Sequence, residues 1–123
     1  MAVVAVTGEQ LDIRFSSGER IWLRRDQLTV PLSAVRQAAC VDQPLRLARG
    51  ARSGFVVSGF IKIGVWGVFG GPRQLVSARR GEPGLHLVLE RSTANLEYDE
   101  IVLSDPAAPQ LVEAIRHAMA GQP

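Results

Sequence analysis

A chain of 123 residues with 46% hydrophobic and 21% charged residues holds enough apolar material for one domain core and is too short for two ordinary domains. The low charge content argues against disorder, and a formal net charge of +2 lacks the strong basic excess of a nucleic-acid-binding surface. The one cysteine, Cys40, excludes an intrachain disulfide and suits a reducing, cytoplasmic setting.

In chain order, residues 3–6 and 11–15 read as short strands, the second with Leu11, Ile13 and Phe15 on one face. Ser16, Ser17, Gly18 and Glu19 form a turn cluster. Apolar residues resume at 21–23, so 11–15 and 21–23 are expected to pair as a hairpin. A short strand at 28–30 meets Pro31, which cannot donate to a ladder, and one helical turn then precedes a strand over 35–41. Residues 42–53 contain Pro44, Gly50 and the arginines 46, 49 and 52; they predict an exposed loop with a short extended piece at 45–47.

Residues 54–71, GFVVSGFIKIGVWGVFGG, are the most unusual stretch, because six of the eighteen residues are glycine. Glycine is costly inside regular elements, so a run this dense needs a backbone reason. Lys62 at its centre opposes a membrane span. The segment predicts bent strand, either a curved wall of the core or an exposed contact hairpin. Strands at 74–78 and 85–89 follow, separated by a turn over 80–84, and a further turn occupies 92–95. A strand over 96–103 changes parity midway, which predicts a β-bulge near Asp99 and Glu100. Asp105 as cap, Pro106 at the first helical position, and Leu111, Val112, Ile115, Ala118 and Met119 on one stripe predict a helix over 106–120, ended by Gly121.

No recognised catalytic motif is present. Gly54 and Gly59 have phosphate-loop spacing, but Phe60 and Ile61 follow where lysine and a hydroxyl residue belong. His86 and His117 are far apart in sequence, and no zinc-type spacing accompanies them. His86 falls opposite the Leu85, Leu87 and Leu89 face, so it is expected in solvent, and Cys40 is expected as a small buried hydrophobe. Glu97, Asp99 and Glu100 lack a calcium-loop pattern and read as a solvated strand face. No metal and no cofactor is expected. The candidate binding residues are Arg46, Arg49 and Arg52, spaced to converge on phosphate or an acidic partner, with Arg24 and Arg25 as further contributors. Trp66 and Phe69 are read either as core or as anchors of a subunit contact.

The layout resembles a known family. The run Leu28-Thr29-Val30-Pro31-Leu32-Ser33-Ala34-Val35, a glycine-bearing middle, and a last strand running through Ser104-Asp105-Pro106 into an amphipathic helix are similar to the bacterial pleckstrin-homology-like (PH-like) domains of small or membrane-anchored actinobacterial proteins. The resemblance spans residues 11–119 and its motifs are patterns of fold with no catalytic residue among them. It implies a mainly β, PH-like fold: two orthogonally packed antiparallel sheets of about seven strands, capped by one C-terminal α-helix, with residues 1–123 as a single domain. Some bacterial relatives form ring oligomers, so the resemblance also implies self-association. The first hairpin turn, Ser16 to Arg20, holds one acid and one base, which disfavours the phosphoinositide binding of eukaryotic relatives. The expected function is a non-enzymatic binding or scaffolding module, cytoplasmic or membrane-peripheral, that contacts protein or itself through a sheet edge or the aromatic–glycine hairpin. The alternatives are an anionic ligand or lipid headgroup on the arginine loop and, more weakly, a small enzyme with an unrecognised site. Neither nucleic acid nor a transmembrane segment is expected.

Overall fold

Alternating apolar residues place nine strands in two sheets, and the computed structural model describes residues 2–94 and 96–121. β1 (Val3–Thr7), β2 (Gln10–Arg14) and β3 (Gln27–Pro31) form an antiparallel sheet in the order β1-β2-β3. Leu11 and Ile13 are fully buried and sit opposite Val30 and Leu28, so the period-two pattern fixes which face is inside.

The strand expected at 21–23 is instead part of a helix, α1 (Ser17–Leu23). Its cause is a reciprocal cap. The Glu19 amide donates to Ser16 Oγ (3.4 Å), and the Ser16 amide donates to Glu19 Oε1 (2.8 Å). The hairpin partner of β2 is therefore β3, closed across α1 by the Phe15 amide donating to Asp26 O at 2.9 Å.

After a single 3₁₀ turn at Leu32–Ala34, as expected, come β4 (Val35–Val41), β5 (Arg52–Val57), β6 (Ile61–Trp66), β7 (Gln74–Arg79), β8 (Gly84–Leu89) and β9 (Glu100–Ser104). They form one sheet in the order β4-β8-β9-β7-β6-β5. Its pairs are antiparallel except β7 with β9, which run parallel. The expectation of about seven strands, all antiparallel, is thus corrected: β9 inserts between β8 and β7, and can pair with both only by running along one of them.

β9 explains its own parity change without a bulge, and it starts at Glu100 rather than at residue 96. Ile101 and Leu103 face the main core, while Val102 faces a second, smaller core with Trp66, Val76 and Ala78. A strand apolar on both faces carries no alternation to read. The second core is roofed by Leu45, Leu47 and Ala48. Those residues belong to a 3₁₀ turn, Pro44–Leu47, and its flank, where an exposed extended piece is expected.

Residues 92–94 of the expected turn belong to a short helix, α2 (Arg91–Ala94), and Asn95 lies outside the described residues. The last helix, α3 (Ala108–Ala120), buries Ala108, Val112 and Ile115 and packs on β4, β8 and β1. It begins two residues later than expected. Asp105 Oδ1 accepts from the Ala107 amide (2.8 Å) in a turn ahead of the helix, Ala107 takes the cap position, and Pro109 sits in the first turn. Gly121 caps the end at φ −83°, without the left-handed step that glycine often supplies there. Among the described residues no helix is long and apolar enough to cross a membrane.

The glycine-rich stretch is β5, β6 and the loop after them. Gly54 and Gly64 are opposite each other in the β5–β6 pair. A Cβ on Gly64 would lie 2.6 Å from Gly54 Cα, and one on Gly54 would lie 2.7 Å from Gly64 Cα. The two glycines are therefore the condition for this close strand approach.

Candidate functional site

The inner face of the six-stranded sheet is joined to α1 by a buried carboxylate. Glu19 is 1% exposed and accepts from the Ser77 hydroxyl on β7. Burial pushes its carboxyl pKa up, but the hydrogen bonds from Ser77 and Ser16 outweigh that and hold it below the usual carboxylate value. Glu19 thereby fixes α1 over β5 and β6, and α1 presents Trp22 to Phe55 of β5: the rings stack with centroids 5.4 Å apart and planes 27° apart.

The three arginines expected to converge are dispersed. Arg49 reaches back across the outer face of the sheet, its Nη2 donating to Glu100 Oε2 at 2.8 Å. Glu100 also accepts at Oε1 from His86 Nε2 (2.7 Å), and Gln74 accepts from the Arg49 amide (2.9 Å) while donating to Leu47 O (2.7 Å). This network ties the 3₁₀ turn and its flank down over the second core, so Glu100 is buried rather than solvated and His86 is half-buried rather than exposed. Arg46 lines a cleft of about 650 Å³ with Lys62, Arg79 and Arg80. Arg52 opens β5 and lines a different cleft of about 640 Å³.

That second cleft lies between α1, the start of β5 and the loop leading into β7. Its walls carry Arg24, Arg25, Arg52 and Arg73, with Trp22 and Phe69 beside them. Glu97, the one carboxylate among the described residues that line it, is taken by Arg25 at 3.2 Å, and the Arg25 guanidinium also lies over the Tyr98 ring, 5.5 Å from its centroid. Burial pushes the Tyr98 hydroxyl pKa up, against the pull of Arg25. Arg24, Arg52 and Arg73 have no ion pair among the described residues.

The two aromatic candidates part company. Trp66 is 4% exposed, a member of the second core, so it is not a contact anchor. Phe69 is 92% exposed on the loop after β6. Sequence reasoning missed the stronger apolar feature, the exposed side chains of Ile21, Trp22, Phe55 and Val57, which run from α1 along one face of β5. The signal was present in the Ser-x-x-Glu spacing at Ser16 and Glu19, a helix start that puts Ile21 and Trp22 on a helix surface.

The remaining reactive groups do not gather. Cys40 is exposed at the edge strand β4 rather than buried. His117 is exposed on α3, away from His86 on β8, and neither His86 nor Glu100 lines either cleft. Among the described residues no group of three or more His, Cys, Asp or Glu is arranged to hold a metal ion. Comparison with family models, curated proteins and solved structures finds no match.

Proposed function

We propose that this chain is a non-enzymatic binding and scaffolding module that self-associates through edge strand β5. One observation carries the reading: among the described residues β5 is the sheet edge left open, and it is the edge bearing exposed Phe55 and Val57 next to Trp22. Long, apolar, unprotected edges invite another strand. The other three edges are each modified. β1 lies against α3. β3 ends in Pro31. β4 carries a register shift between Val35 and Gln37 and gives its Ala38 carbonyl to Arg116 Nε at 2.9 Å.

Two β5 strands related by a two-fold axis normal to the sheet can pair antiparallel about Phe55. Side chains keep their faces in that register, Arg52 meets Ser58 of the other copy, and no like charges oppose. The two Trp22–Phe55 stacks then adjoin, and the two six-stranded sheets become continuous. One strand and a few apolar side chains per copy fall at the small end of stable interfaces, about 1,200 Å² in total, so the association is weak and concentration-dependent. The two sheets and C-terminal helix also support a PH-like assignment, from which the parallel β7–β9 pair departs.

Sedimentation velocity over a concentration series tests this. The wild type shifts from monomer towards dimer, and Phe55→Lys stays monomeric while keeping its fold. A wild type that remains monomeric at the highest concentration, or a Phe55→Lys variant that associates equally well, refutes it. The second reading, an anionic ligand, is favoured by the arginine cleft beside β5.

A further inference from the structure

We propose that the cleft between α1, the start of β5 and the loop before β7 is a binding site for an organic phosphate. The phosphate group is held by Arg24, Arg52 and Arg73, and the apolar part of the ligand rests against Trp22 and Phe69.

Three observations converge. The first is uncompensated charge: among the described residues four arginines line about 640 Å³, and Arg25 already occupies the one carboxylate there. Guanidinium forks match phosphate oxygens in geometry and charge, and several of them around one concave site suit a dianion with three acceptor oxygens better than a carboxylate. The second is Arg73. Its Nε is buried with no hydrogen-bond partner, although its backbone is anchored by its amide donating to Asp99 Oδ2 at 2.8 Å. The unpaired Nε leaves part of that side chain's desolvation uncompensated, and Arg73 lines the cleft that an anion would enter. The third is Arg24, the one non-glycine residue with positive φ among the described residues, at φ 57°. It ends α1 in the left-handed conformation, its amide donating to Arg20 O at 2.9 Å. Glycine is the usual residue at such a step. Arginine there tolerates strain and places a long cation at the cleft, which ties an unfavourable backbone to a use for the side chain.

The aromatic neighbours decide between free phosphate and an organic ester. Phe69 is 92% exposed and Trp22 42% exposed, and both line the cleft. They supply apolar surface that inorganic phosphate cannot use. A concave site with a half-buried arginine in its wall suits a ligand that enters it, which favours a small molecule over a flat membrane surface. The other cleft is a weaker candidate, because Lys62 Nζ already donates to Leu45 O (2.8 Å) and Arg80 is stacked over Phe60. The site borders the β5 edge, sharing Arg52 and Trp22 with it, whereas Arg24 and Arg73 lie off that strand and report on the cleft alone.

Phenyl phosphate, inorganic phosphate and phosphatidylglycerol vesicles are the probes, with calorimetry for the soluble ligands and co-sedimentation for the vesicles. Phenyl phosphate is expected to bind about ten-fold more tightly than inorganic phosphate. Arg73→Gln and, separately, the surface change Arg24→Gln each weaken it about ten-fold or more. Equal affinity for the two phosphates removes the organic part of the proposal. No binding, or binding indifferent to both arginine variants, overturns it. Vesicle binding that phenyl phosphate fails to displace, with no calorimetric signal for phenyl phosphate, assigns the arginines to a lipid surface and also overturns it.

Discussion

Replacing Gly64 by alanine should unlatch β5 from β6. The new Cβ would lie 2.6 Å from Gly54 Cα and closer still to the Ser53 carbonyl oxygen, at a backbone φ of +152°. All of these contacts are backbone, so no rotamer change relieves them. Overpacking costs about 1–3 kcal/mol, and a side chain held in this glycine region adds about 1–3 kcal/mol. The combined loss of about 2–6 kcal/mol is a large share of a total stability of about 5–15 kcal/mol. A domain of this length loses about 4 °C in Tm per kcal/mol. Gly18→Ala is the internal control. Gly18 lies inside α1 with nothing within 4 Å of an added Cβ, so alanine there should stabilise by about 0.5–1 kcal/mol. Equilibrium denaturation followed by tryptophan fluorescence suits both, because buried Trp66 at the end of β6 reports the affected strand. A Gly64→Ala protein with wild-type stability would refute the close-approach reasoning.

Two further outcomes follow from named groups. Glu19→Gln should destabilise at neutral pH. The wild-type pKa is lowered on folding, so the Glu19 contribution is complete above the unfolded value of about 4.3 and fades as pH falls through the lower folded value. The gap between variant and wild type in denaturation midpoint therefore narrows in acid, and a gap that widens there contradicts the assignment. Arg24→Gly should raise stability by up to about 1 kcal/mol by releasing the left-handed strain, while weakening phenyl phosphate binding. A loss in both stability and binding would mean that Arg24 serves the fold alone.

Much of the architecture was legible because its pattern is local. Leu11 and Ile13 alternate, Pro31 precedes its single turn, β4 has the expected bounds, and the stripe through Val112 and Ile115 marks α3. What was misread depends on partners distant in sequence. β9 is covered on both faces, so it shows no period, and its parallel partner β7 is unknowable from either strand alone. Arg46, Arg49 and Arg52 are evenly spaced in sequence but meet different surroundings, because the 3₁₀ turn holds Arg46, Glu100 draws Arg49 inward and Arg52 opens β5. The arginine cleft is half visible in the sequence: Arg24, Arg25 and Arg52 stand out as candidate binding residues, whereas Arg73 and Trp22 join them only through the docking of α1.

The most direct measurement of strand pairing at β5 is amide hydrogen exchange at low and high protein concentration. Protection of Arg52–Val57 should rise with concentration in the wild type and stay constant in Phe55→Lys, with β7, β8 and β9 unaffected throughout. Exchange in Arg52–Val57 that ignores concentration, in samples whose mass shows association, would contradict it and place the contact elsewhere.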